Sequence, residues 1–120
     1  MNVVLSIKPE YVEAIKDGRK RFEFRKSIFR KKVDKVYIYA SSPVSKVVGE
    51  FQPVYVIQGS PEELWSKTHR FAGIRKEWYD LYFRGHDTAY AIEIKNLRIY
   101  NTPKDIPFHA PQSFRYIETI

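Results

Sequence analysis

Hydrophobic and polar positions divide this chain into short alternating stretches, interrupted by three segments with a helical period. Asn2 to Ile7 is a compact apolar run of Val, Leu and Ile and predicts a strand. Pro9 suits the first turn of a helix, where a missing N–H costs nothing, and Tyr11, Val12, Ala14 and Ile15 give that helix an apolar face. Asp17-Gly18 ends it with a glycine cap. Lys20 to Arg25 reads as a strand, with Phe22 and Phe24 on one face and Arg21, Glu23 and Arg25 on the other. Lys35 to Ala40 sets Val36, Ile38 and Ala40 against Tyr37 and Tyr39 before Ser41-Ser42-Pro43 breaks the pattern. Val44 to Gln58 predicts a long strand region with a bulge at Gly49 and a bend or edge at Pro53.

Ser60-Pro61-Glu62-Glu63 has the order of a helix start: a hydroxyl cap, a proline, then acids in the first turn. That helix runs to about Thr68. Ile74 to Phe83 forms another, with Ile74, Trp78, Leu81 and Tyr82 at helical spacing. After the turn at Gly85-His86-Asp87, Thr88 to Tyr100 predicts one long strand, Pro103 to Pro107 a loop, and Ser113 to Ile117 a last strand. The order β-α-β-β-β-α-α-β-β lacks the regular alternation of a doubly wound fold. It predicts an α+β domain: a small mixed β-barrel of about six strands with two to three peripheral helices.

The length of 120 residues suits one domain, 1–120. Nine Tyr and eight Phe favour a β-rich globule over a disordered basic segment. The absence of cysteine excludes disulfides, a thiolate nucleophile and a Cys-based zinc site. No apolar run has membrane-spanning length, and no signal-peptide pattern opens the chain, so the expected location is the cytoplasm.

Charge is where the composition becomes informative. Between Lys16 and Lys35 ten basic residues face three acids, which accounts for the whole net charge of +7. A positive field concentrated in one sixth of a chain suits a phosphate-bearing ligand. Inside it lies one carboxylate on the predicted strand, Glu23, three residues after Lys20.

Gly18, Lys20, Glu23 and Arg25 form the pattern G-x-K-x-x-E-x-R after a strand and a short helix. With Leu5-Ser6-Ile7-Lys8-Pro9-Glu10, Val48-Gly49-Glu50-Phe51 and Tyr90-Ala91-Ile92-Glu93-Ile94, this pattern resembles the ASCH domain of the stand-alone archaeal or bacterial type. That family is related to the PUA barrels that bind RNA. The likeness runs from about Leu5 to Tyr116, and it implies a PUA-like fold with RNA or a nucleotide-like ligand in a cleft beside the motif strand. One bacterial branch is similar to acetylcytidine amidohydrolases, in which a lysine, a threonine and a helical glutamate carry the chemistry. Lys20 matches the lysine, Glu23 replaces the threonine, and Glu77 is a counterpart of the helical glutamate.

Two functions are therefore expected. The first is a nucleic-acid or nucleotide-binding module, for RNA above all, with Lys8, Gly18, Lys20, Arg21, Glu23, Arg25, Lys26, Arg30, Lys31, Lys32, Ser41 and Ser42 as ligand contacts. The alternative is a small hydrolase of a modified nucleoside, with Lys20 and Glu23 or Glu77 as catalytic groups. Strict alternation places Lys20 and Glu23 on opposite faces, so they converge only if the chain twists beyond Gly18. Phe22, Phe24, Trp65 and Trp78 are expected in the core, and Tyr37 and Tyr39 as stacking platforms. Gln112-Ser113 could close the cleft from the C-terminal side. His69, His86 and His109 lack metal-ligand spacing, and neither a metal nor a cofactor is expected.

Overall fold

The computed structural model describes residues 1–120. Eight strands and three α-helices follow in the order β1 (Asn2–Ile7), α1 (Pro9–Lys16), β2 (Phe22–Arg25), β3 (Lys35–Ala40), β4 (Lys46–Gln52), β5 (Val56–Gly59), α2 (Pro61–Thr68), α3 (Lys76–Phe83), β6 (Ala89–Glu93), β7 (Lys95–Lys104) and β8 (Phe114–Ile117). A single 3-10 turn, His69–Phe71, follows α2. No helix is long and apolar enough to cross a membrane.

The local signals behave as the sequence predicts. Ser60 Oγ accepts from the Glu63 amide at 3.1 Å and Glu63 reaches back to the Ser60 amide, a reciprocal cap that starts α2. Gly18 takes a φ of +82° just beyond α1. Gly49 marks a close approach: a Cβ there would lie 2.7 Å from the Arg98 carbonyl of β7.

The strands make two sheets, ordered β7-β4-β3-β1-β8 and β2-β6-β5. β1 runs parallel to β3 and antiparallel to β8, so both its edges are occupied. The α+β class holds, with eight strands rather than about six, but the two sheets do not close into the expected mixed barrel. β2 lies across the end of β1 and is tied to it through the Arg25 side chain, which donates to the Ser6 carbonyl at 2.8 Å. The expected strand from Thr88 to Tyr100 is also two strands. The chain leaves the small sheet at Ile94, whose amide donates to the Arg21 carbonyl, and joins β4 in the large one. Likewise the segment around Pro53 to Tyr55 divides the expected strand from Val44 to Gln58 into β4 and β5.

Three apolar clusters hold the fold. The largest packs Val12 and Ile15 of α1 against Val3, Leu5, Val36, Ile38 and Phe51 of the large sheet. A second lies between the small sheet and the later helices, around Phe24, Leu64, Tyr79 and Phe83. The third covers the other face of the large sheet, where Val4, Tyr37, Tyr39 and Val47 meet Ile106, Phe108, Ile117 and Ile120. Tyr37 and Tyr39 are thus core residues, which corrects their reading as stacking platforms. Trp78 moves the opposite way: it is 54% exposed, because α3 buries Tyr79 and Phe83 instead.

Candidate functional site

The motif strand meets the end of β1, the start of α1 and one face of α3. Between them lies a cavity of about 370 Å³. Its floor carries Lys20, Glu23 and Arg25, its sides Ser6, Lys8 and Tyr11, and its far wall Ile74, Trp78, Leu81 and Tyr82.

Lys20 and Glu23 converge despite the alternation rule. Lys20 forms an isolated bridge with Ala72 rather than continuing β2, and its amide donates to Ala14, so the chain turns before Phe22. Both side chains are buried: Lys20 is 3% and Glu23 7% exposed. Lys20 Nζ donates to the Ala72 carbonyl at 2.9 Å and stands 3.9 Å from Glu23 Oε1. It also lies 4.8 Å from the Phe24 ring centre and 5.3 Å from that of Tyr11. The close fit depends on Gly73, with a φ of +63°. A Cβ there would sit 2.2 Å from Lys20 Cβ.

The nearer cation to Glu23 is Arg25, whose Nη2 is 2.7 Å from Oε2. Arg25 also reaches Ser113 Oγ at 3.3 Å, while Ser6 Oγ donates to the Pro111 carbonyl at 2.6 Å. The C-terminal segment is thus bound to Ser6 and Arg25, although Gln112 and Ser113 do not line the cavity. Arg25 Nε is buried without an acceptor.

Burial, opposed only in part by Glu23, lowers Lys20 from 10.5 to about 8. Burial, then the charges of Glu10 and Glu23, raise the Tyr11 hydroxyl above its ordinary value, so it stays protonated at neutral pH. Tyr82 is raised for the same first reason, and Lys26 Nζ lies 4.5 Å from its ring centre.

The other expected site residues are not gathered here. Arg21 is exposed and stacks 4.1 Å over Phe71. Gly18 serves as the helix terminus. Ser41 and Ser42 follow β3, where the Ser41 amide is bound to the Ile7 carbonyl, and neither lines the cavity. Arg30, Lys31 and Lys32 sit on an exposed loop pinned by Tyr116, whose hydroxyl accepts from the Arg30 and Lys31 amides. Glu77 is exposed, pairs with Arg75 at 3.1 Å, and does not line the cavity. Nowhere do three His, Asp or Glu side chains cluster as metal ligands.

Sequence reasoning passed over Tyr11 and the outward face of α3. Tyr11 lies on the predicted apolar face of α1, so its pattern concealed its hydroxyl. Trp78, Leu81 and Tyr82 were concealed by their own spacing, which is that of a buried stripe.

The eight-stranded α+β architecture is shared by proteins of known structure. The chain belongs to the ASCH domain family, whose family model matches residues 5–98. It is similar to the crystal structure of ASCH from Zymomonas mobilis, with a TM-score of 0.88 at 29% identity over 98% of this chain and 87% of that one. In sequence it is 34% identical over 94 residues to an ASCH domain-containing ribonuclease of Zymomonas mobilis subsp. mobilis, covering 78% of this chain and 64% of the relative. It is also 32% identical over 121 residues to the large ribosomal subunit protein uL22 of Ureaplasma parvum serovar 3. There the match takes 97% of this chain but spans only 39% of the relative's length.

Proposed function

We propose that this chain binds RNA and cleaves its phosphodiester backbone in the cavity floored by Lys20, Glu23 and Arg25. The observation that carries this reading is a buried lysine and carboxylate joined by a largely covered arginine beneath an aromatic rim. Such a floor offers charge to a phosphate, and the rim offers flat faces to a base. A relative named as a ribonuclease supports the same chemistry.

In this reading the phosphate meets the Lys20 ammonium and the arginine, whose buried Nε gains an acceptor. Glu23 takes the proton from the ribose 2′-hydroxyl, and the 2′-oxygen bonds to phosphorus as the bond to the 5′-oxygen breaks. Tyr11 gives its proton to that leaving oxygen and regains one from Glu23 through solvent. The products are a 2′,3′-cyclic phosphate end and a 5′-hydroxyl end. Solved forms of the Zymomonas protein include one tyrosine-to-phenylalanine and one serine-to-alanine variant.

The amidohydrolase alternative requires a helical glutamate close to Lys20. Glu77 is exposed and held by Arg75, so the cavity supports that reading less well. Arg30, Lys31 and Lys32 assist by attracting RNA over distance rather than by touching the cavity contents. The test is incubation with a single-stranded RNA and mass analysis of the ends. Cyclic phosphate ends are expected from the native protein and none from Glu23→Gln. An intact RNA, with release of acetate from acetylcytidine instead, would replace this reading by the alternative.

A further inference from the structure

The cavity is one of three adjoining depressions. The second, of about 520 Å³, shares Lys8, Tyr11, Ile74 and Trp78 with the first. The third, of about 510 Å³, meets both at Trp78. Trp78 is therefore a ridge from which the surface falls away in three directions.

Charge distinguishes the two outer depressions. In the third, Glu77 is paired with Arg75 and Asp80 with Lys76, and acids and bases balance along its lining. The second carries Lys8, Arg19 and Arg75 against a single acid, Glu10. Arg19 and Arg75 hydrogen-bond to Asp17 and Glu77 through Nε alone, which orients each guanidinium and leaves its terminal amino groups without a protein acceptor. Both ion pairs are exposed, and exposed pairs hold their partners weakly, so a phosphate can recruit these arginines at little cost. Their planar forks match phosphate oxygens two at a time.

We propose that the depression around Lys8, Arg19 and Arg75 is a second phosphate subsite. The ligand of the Lys20 cavity is then a single-stranded ribonucleotide chain that crosses Trp78, not a lone nucleotide. This rests on the RNA reading of the Lys20 cavity and adds the path and minimum length of the strand. The chain continues from the Lys20 cavity toward Arg19, with one base against the Trp78 face at the ridge. The basic loop at Arg30 to Lys32 lies off this path.

The experiment measures binding of fluorescent 2′-fluoro RNA oligomers of one, two, three and six nucleotides, which lack the attacking hydroxyl. Affinity is expected to rise at least tenfold from one nucleotide to three and then to level off. Each phosphate contact on a single strand adds about 0.7 to the slope of log affinity against log salt. The Arg19→Ala/Arg75→Ala double variant should therefore lower the trinucleotide's salt slope by about 1.4 and remove most of the gain with length. Trp78→Ala should also weaken the trinucleotide at least tenfold, with circular dichroism unchanged. Lys67→Gln, on α2, serves as the charge control and should leave the length dependence intact.

Equal affinity for one and three nucleotides would overturn the second subsite while leaving the RNA site standing. So would a double variant that keeps the full length dependence, or a duplex that binds as tightly as the matched single strand. A native protein that neither binds these oligomers nor cleaves RNA would remove both readings together.

Discussion

Replacing Lys20 by methionine separates the cost of this site from its use. Lys20 is buried, and its folded-state value of about 8 lies below the ordinary 10.5. Folding therefore disfavours the ammonium, and the unfolded chain binds the proton more tightly between those two values. The sign follows: Lys20 weakens the native state fully below pH 8, and this loss is relieved as pH rises toward 10.5. Its size is about 3 kcal/mol at pH 7 and about 1 kcal/mol at pH 10. Methionine fills a similar volume and carries no charge. It forfeits the bond to the Ala72 carbonyl, worth about 1–3 kcal/mol if that acceptor is left buried and unpaired. At pH 7 the two effects offset, so the variant should be as stable as the native protein or slightly more so. The decisive quantity is the stability difference between the two proteins, measured by urea unfolding from pH 7 to pH 10. It should shift by about 2 kcal/mol in favour of the native protein across that range. RNA cleavage by the variant should meanwhile fall by about 10²–10³-fold, the scale of losing one preorganised charge at a reacting phosphate. A stability difference that stays flat with pH, together with cleavage within a few-fold of native, would refute the assignment of Lys20 as a buried functional cation.

The remaining expectations are more local. Cleavage that needs the Lys20 ammonium should show kcat/KM declining above about pH 8, whereas an increase through that range would make the neutral amine the active form. Gly73→Ala places a methyl group against Lys20 at a φ of +63° and should cost about 2–4 kcal/mol in thermal or urea unfolding. Gly18→Ala, with open space at a φ of +82°, should cost about 1 kcal/mol. Neutralising Arg30, Lys31 and Lys32 together should slow RNA association at low salt and leave the dissociation rate within twofold, as stopped-flow measurement would show. Tyr100→Phe removes a 2.7 Å bond to Glu50 on the far side of the large sheet and should lower stability by about 1 kcal/mol with no effect on cleavage.

The parts of this fold that were legible in the sequence are those set by neighbouring residues. The Ser60 cap, the Gly18 terminus and the strand from Lys35 to Ala40 each follow from a few consecutive side chains, and the structure keeps all three. What was not legible depends on contacts between distant segments. Tyr37 and Tyr39 alternate as solvent-facing residues do, but the chain beyond Asp105 folds back over them and makes that face a core. Trp78 and Leu81 have the spacing of a buried stripe, but Tyr79 and Phe83 occupy the packed side of α3. The barrel expectation failed because a strand that changes sheets at Ile94 looks continuous in one dimension. The site shows the same division. The motif residues Lys20, Glu23 and Arg25 were found from their spacing, whereas Tyr11 and Trp78 enter through packing between α1 and α3.

Stability alone gives no reason for the Lys20–Glu23–Arg25 cluster. A buried ion pair usually loses to well-packed apolar residues of the same volume, because removal of the charges from water costs more than their mutual attraction returns. Here the balance is poorer than for an isolated pair. Two cations share one carboxylate, Lys20 stands 3.9 Å from it, and Arg25 Nε has no acceptor at all. The fold nonetheless commits several features to keeping the cluster in place: a glycine at positive φ against Lys20, a carbonyl at Ala72, and a C-terminal segment bound to Ser6 and Arg25. A phosphate entering the cavity would supply the missing acceptor and the second negative charge. The cluster is thus incomplete as a structural element, and an anion is the kind of ligand that would complete it.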